Sequence, residues 1–168
     1  MAELIALAHL VPLESDVARP DIAASCVLVI LPFVALVEEK AAFLSRLLHL
    51  APELRLKVSA LHGRKGSAEI GKTRVAVCTP ERAGAIVDAL TKGGALSRLR
   101  AVVVDEVHLV GETGRGAVLE SLLAKLLFAS AAAKTALQVI GMSATGECIG
   151  ELYGSTSCDL LFTPLRSV

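Results

Sequence analysis

The sequence feature that most constrains the fold is an apolar run that stops abruptly at two adjacent acids. Residues 101–104 read Ala-Val-Val-Val, and Asp105 and Glu106 follow them directly. A continuous apolar run is typical of a strand that is buried on both faces of a parallel sheet. Side chains at the carboxyl end of such a strand face the crevice in which open α/β sheets bind their ligands. The pattern therefore predicts a strand over 101–105 that presents two carboxylates to a ligand.

A second apolar run, at 137–142, ends at two small hydroxyl residues, Ser143 and Thr145. It also reads as a buried strand. If both runs belong to one parallel sheet, their carboxyl ends lie at the same edge. We therefore expect the turn at 143–145 to lie beside the acid pair.

Adjacent carboxylates at a ligand crevice have a definite chemical use. One can hold a Mg²⁺ ion that bridges phosphate oxygens, and the other can orient and deprotonate an attacking water. The alternative is structural: the acids cap a neighbouring helix, and His108 packs in the core as an ordinary histidine.

Helical and extended patterns alternate along the rest of the chain. Strands are predicted at 27–31, 57–61, 74–78, 101–105 and 137–142, and helices at 2–11, 36–50, 80–91 and 117–130. This alternation favours the α/β class, with a parallel, doubly wound sheet between helices. The tail after Thr145 has no clear period.

Composition limits the classes of partner and site. The 168 residues are 54% hydrophobic, which suits a sheet covered on both faces, and they carry no net charge. Nucleic-acid binding would therefore need a local groove rather than a basic surface. The four cysteines show no metal-ligand spacing, so a reducing compartment, cytoplasmic or nuclear, is expected. The longest apolar run, 26–37, is too short to span a bilayer.

Residues 66–73 match the phosphate-loop pattern Gly-x-x-x-x-Gly-Lys-Thr. A working phosphate loop follows a strand and opens a helix, so that backbone N–H groups point at the phosphates. Here Lys72 and Thr73 precede a β-branched run that reads as a strand. We interpret the match as a coincidence. The competing hypothesis is nucleotide binding at this segment, which would make affinity depend on Lys72.

Several segments together identify a family resemblance. Residues 105–108, Asp-Glu-Val-His, resemble the Walker B motif (DExH box) of superfamily 2 helicases, and 143–145, Ser-Ala-Thr, resemble their motif III. Residues 31–40 are similar to motif Ia of the Ski2-like branch, and 77–83 to its motif Ib. The segments 105–120 and 138–142 look like those of the DNA polymerase theta and POLQ-like kind. The resemblance covers about residues 1–145.

The resemblance implies a RecA-like fold, ATP and Mg²⁺ as cofactors, and single-stranded DNA, rather than RNA, as partner. Asp105 would hold Mg²⁺ through water, and Glu106 would act as the general base. His108, Ser143 and Thr145 would couple the nucleotide state to the strand-binding surface. The residues implied in contacting the strand are Pro32, Thr79, Pro80, Glu81, Arg82 and Arg115, of which the two arginines could equally form structural ion pairs.

The resemblance also implies that residues 1–168 are part of the first RecA-like domain, from just after motif I to just after motif III. The family's phosphate-loop strand and second RecA-like domain would then lie outside this sequence. We therefore expect the chain alone to hydrolyse ATP poorly, and its sheet to have a gap. Two hypotheses follow: part of an ATP-dependent DNA helicase involved in DNA repair, or a non-catalytic nucleic-acid-binding module derived from one.

Overall fold

The structure, a computed structural model, describes residue 7 and residues 25–52, 56–64, 73–110, 112, 114–133, 137–143 and 160–164. Within them, six parallel strands form one sheet: β1 (Cys26–Ile30), β2 (Val58–Leu61), β3 (Val75–Cys78), β4 (Leu99–Val104), β5 (Gln138–Ser143) and β6 (Leu160–Pro164). Three helices accompany them: α1 (Val34–His49), α2 (Pro80–Lys92) and α3 (Arg115–Ala133).

The strand order places β1 at the point where the winding direction changes. The strands lie in the order β2-β3-β1-β4-β5-β6. The chain leaves β1 for the edge strand β2, returns to β3 beside β1, and then crosses to β4 on the other side. Ile30, the last residue of β1, is in register with both Cys78 and Val104. Ligand crevices of open α/β sheets form at the carboxyl ends of strands at such a point.

Both faces of the sheet are buried, as the continuous apolar runs predict. Side chains alternate along each strand, so Leu28 and Val102 point into a core that α2 and α3 complete. Val29 and Val103 point into a second core, which contains α1 and Leu7. Removing each such side chain from water contributes about 1.5–3 kcal/mol. This burial on two sides explains why the strands carry almost no polar residues.

Local signals set the limits of α2. Thr79 is its N-cap, and Pro80 occupies the first helical position, where the missing N–H costs no hydrogen bond. At the other end, Gly94 adopts a φ of +63°, which suits a residue without Cβ. The Ala95 N–H then donates to the Leu90 carbonyl at 2.8 Å. The helix therefore ends where the Gly-Gly pair predicts.

The predicted RecA-like α/β fold is confirmed, and all five predicted strands are present to within two residues. The predicted helix at 2–11 lies outside the described residues except for Leu7. One expectation is wrong: the described strands form a continuous sheet without a gap, because β5 pairs with β4 on one side and β6 on the other. The tail, in which no pattern predicts an element, contains the strand β6. No described helix is both long and apolar enough to span a membrane.

Candidate functional site

The carboxyl ends of three neighbouring strands meet at one edge of the sheet. The Leu31 N–H donates to the Cys78 carbonyl, and the Asp105 N–H donates to the Ile30 carbonyl, both at 3.0 Å. These bonds extend the ladders one residue beyond the strands. As a result, the residues that follow β3 and β4 lie on opposite sides of the end of β1.

Glu106, two residues after the end of β4, has an unusual backbone conformation. Its φ of 53° and ψ of 44° are left-handed, and it is the only described residue other than glycine with a positive φ. This conformation costs about 1–2 kcal/mol for a residue with a Cβ. The Glu106 N–H donates to Asp105 Oδ1 at 3.0 Å, which supports the turn. Backbone strain of this kind is concentrated at functional sites.

A histidine joins the acid pair to the end of β5. His108 Nδ1 lies 3.2 Å from Glu106 Oε2 and 3.2 Å from Ser143 Oγ. Glu106 Oε2 is buried and has no well-aligned hydrogen bond within the described part of the chain. Because a carboxylate can only accept hydrogen bonds, a hydrogen bond from His108 to Glu106 would need the proton on Nδ1. Nδ1 is then the group that links the ends of β4 and β5.

The register of the sheet explains this proximity. Val104 is in register with Gly141. Glu106 lies two residues after Val104, and Ser143 lies two residues after Gly141. The residues that follow β4 are therefore beside the end of β5. The predicted closeness of the acid pair and Ser143 is present in the structure. Thr145 lies outside the described residues, and the coupling roles of all three residues stay predictions.

Asp105 lines a crevice of about 360 Å³ together with residues of α1, among them Lys40 and Arg46. Its carboxylate is the hard oxygen ligand that Mg²⁺ prefers. Among the described residues, no group of three or more acidic, histidine or cysteine side chains could form a metal cage. The donor set therefore fits Mg²⁺ held by one carboxylate, water and phosphate oxygens, as is usual for this ion in phosphate-transfer sites.

A second cleft, of about 450 Å³, lies on the other side of the end of β1. We call it the β1–β3 cleft; its lining residues are Pro32, Val34, Gly63, Thr79, Glu81, Arg82 and Ala85. Four of the six predicted strand-contact residues are among them. Pro80 lines the neighbouring groove between α2 and α3, and the side chain of Arg115 lies outside the described part. Sequence reasoning missed Val34, Gly63 and Ala85, because small and apolar residues give no chemical signal.

One wall of the β1–β3 cleft carries positive charge beside the buried core. Burial raises the pKa of the Cys78 thiol to about 12, and the nearby Arg82 guanidinium opposes this shift. The buried Thr79 hydroxyl makes no capping bond to α2. The first-turn N–H groups of a helix have no acceptor within the helix. The start of α2 thus offers donors and an arginine to an anionic ligand.

The Gly-Lys-Thr segment leads into a strand. Thr73 is buried, its hydroxyl lies 3.0 Å from Ser59 Oγ, and β3 begins two residues later. Residues 65–72 lie outside the described part. The strand that follows agrees with the prediction that 66–73 lacks the setting of a phosphate loop.

The sequence matches a helicase family and several known proteins. Residues 3–148 match the DEAD/DEAH box helicase family. The chain is 41% identical to DNA polymerase theta of Drosophila melanogaster over 145 residues, which cover 84% of this chain and 7% of that protein. It is 39% identical to human helicase POLQ-like over an alignment that covers all of this chain and 14% of that protein. The chain thus spans a small part of these curated relatives.

The fold matches a solved helicase structure. The crystal structure of the DUF1998 helicase MrfA bound to DNA and AMPPNP superposes with a TM-score of 0.58 and 17% sequence identity. The match covers 86% of this chain and 21% of that one. At 17% identity, the similarity is evidence for a shared fold alone.

Proposed function

Because the chain belongs to the DEAD/DEAH box helicase family, we propose that it supplies part of the ATPase centre and part of the strand-binding surface of an ATP-dependent DNA helicase that acts in DNA repair. The proposal rests on one observation above all. Four residues predicted to contact a nucleic-acid strand line one cleft, and the acid pair lies directly across β1 from it.

The chemistry of the acid pair supports a role in nucleotide hydrolysis. In this proposal Glu106 accepts the proton of the attacking water, and Asp105 holds the magnesium ion through water. When bound, the ion would supply positive charge that stabilises the transferring phosphoryl group. His108 stays within hydrogen-bonding reach of Ser143. A change in the position of Glu106 would therefore be transmitted through His108 to Ser143, at the end of β5.

The β1–β3 cleft suits the sugar-phosphate backbone of a single strand. Arg82 and the first-turn N–H groups of α2 would contact phosphates, and Pro32 and Thr79 would pack against the sugar. Contacts of this kind fix position and do not read sequence. The name of one group of relatives, DNA polymerase theta, supports DNA as the strand.

We further propose that residues 1–168 form part of the first RecA-like domain, from just after motif I to just after motif III. The sequence contains one Gly-x-x-x-x-Gly-Lys-Thr match, and that segment leads into β3. Phosphate-cradling groups and an arginine finger supply much of the transition-state stabilisation in such enzymes. The 168-residue chain alone should therefore show no magnesium-dependent ATP hydrolysis. Turnover that Glu106→Gln abolishes would contradict this part of the proposal.

Binding of a fluorescently labelled oligo(dT) tests the strand site. Arg82→Ala should weaken binding by about five- to tenfold, because one hydrogen bond to a solvated phosphate contributes about 1–1.4 kcal/mol, within the range of ordinary hydrogen bonds. Arg46→Ala is the matched control, because it removes the same charge from an exposed position outside the β1–β3 cleft. Equal affinities for the two variants would reject this cleft as the strand site.

A further inference from the structure

We propose that Glu38 is a positioning residue for the β1–β3 cleft: through His62 it holds the turn that forms the third wall of the cleft. This inference rests on the proposed binding of a single strand in that cleft. Glu38 lies in the segment that resembles motif Ia and His62 lies in none of the motifs, and the contact between them is visible only in the fold.

The three walls of the cleft are not equally supported. Pro32 and Val34 lead into α1, and Thr79, Glu81 and Arg82 lead into or belong to α2. Each of these walls is continuous with a helix that packs on the sheet. The third wall is Gly63, which follows β2 with a φ of +50°. β2 is an edge strand that pairs only with β3 among the described strands, so this wall is held from one side.

The contact between Glu38 and His62 supplies the second support. His62 Nε2 lies 2.6 Å from Glu38 Oε1, and the side chains are 18% and 44% exposed. Since the carboxylate can only accept, the imidazole N–H donates. Glu38 lies one helical turn after Val34 on α1, so the bond ties the first wall of the cleft to the third. Gly63 is the next residue after His62.

The charge of Glu38 and its hydrogen bond to His62 predict opposite effects on strand binding when the carboxylate is removed. Removing a carboxylate close to a phosphate-binding cleft reduces repulsion, so electrostatics alone predicts tighter binding of a strand. Loss of the bond that holds the wall predicts weaker binding, because the cleft must be ordered when the strand binds. The sign of the change therefore separates the two effects.

Oligo(dT) binding to the 168-residue chain tests the inference with three variants. Glu38→Ala should weaken binding by about three- to tenfold, the net cost of one lost hydrogen bond of ordinary strength. Glu38→Gln keeps an oxygen acceptor and should bind at least as tightly as the natural chain. Glu39→Ala removes the same charge from the next residue, which is exposed and does not line the cleft, and should not weaken binding.

Amide hydrogen exchange gives a second readout that needs no ligand. Glu38→Ala should speed exchange at residues 62–64, whereas Glu38→Gln and Glu39→Ala should leave it unchanged. Equal exchange in Glu38→Ala and Glu39→Ala, or equal oligo(dT) affinity while Arg82→Ala still weakens binding, would overturn the inference. If Arg82→Ala has no effect on affinity, the proposed strand site itself fails.

Discussion

At the scale of single residues, the chemistry of the site was more predictable than its geometry. The acid pair and Ser143 stand out because polar residues end two apolar runs. The left-handed conformation of Glu106 could not be predicted, because glutamate gives no local signal for a positive φ. The contact between Glu38 and His62 joins residues 24 apart in the chain, and only the packing of α1 against β2 creates it.

The conformation of Glu106 leads to a prediction about stability. Asparagine adopts the left-handed region more readily than glutamine. Glu106→Asn should therefore be more stable than Glu106→Gln by about 0.5–1 kcal/mol, measured by urea unfolding. Both variants remove the same charge, so electrostatics cancels in the comparison. Equal unfolding midpoints would mean that the φ of 53° carries no strain.

At the scale of secondary-structure elements, burial decided which elements the sequence revealed. β1, β3 and β4 are almost entirely buried, so their apolar runs are continuous. Helix α2 has both a proline at its start and glycines at its end. Strand β6 has neither a long apolar run nor a clear start and end signal in the sequence. It forms by pairing in parallel with β5. Pairing of that kind depends on the rest of the sheet.

The buried thiols of β1 and β3 predict how stability changes with pH. Burial raises the pKa of Cys26 from 9.0 to about 11 and that of Cys78 to about 12. Both thiols therefore stay protonated in the folded chain at a pH where the unfolded chain ionises them. The free energy of unfolding is therefore unaffected by these thiols below pH 9, the ordinary pKa of a thiol. Above pH 9 it falls by up to about 1.4 kcal/mol per pH unit for each thiol.

Urea unfolding between pH 8 and pH 10 measures this effect, in a Cys148→Ser, Cys158→Ser background that leaves only the two buried thiols. Adding Cys26→Ala and Cys78→Ala should make the loss of stability above pH 9 less steep, because those side chains no longer titrate. An unchanged slope would assign the pH dependence to other groups, such as lysines.

At the scale of the whole molecule, one topological fact organises both candidate sites. The acid pair and the β1–β3 cleft flank the end of β1, where the winding direction of the sheet changes. Alternating helices and strands predicted a parallel sheet, but they do not specify strand order. The sequence could therefore indicate both sets of residues without showing that a single strand separates them. In the proposed function, the nucleotide and the nucleic acid would therefore bind on either side of one strand, β1.

The zero net charge of the chain predicts a weak salt dependence of strand binding. Affinity for single strands falls with salt by a log–log slope of about 0.7 per neutralised phosphate. Arg82 is the one cation among the described residues that line the β1–β3 cleft, so we expect a slope of about 0.7–1 for oligo(dT). Arg82→Ala should lower the slope by about 0.7, and Arg46→Ala should leave it unchanged. A slope far above this range would mean that the strand contacts a wider charged surface than this cleft, and would move the proposed site elsewhere on the molecule.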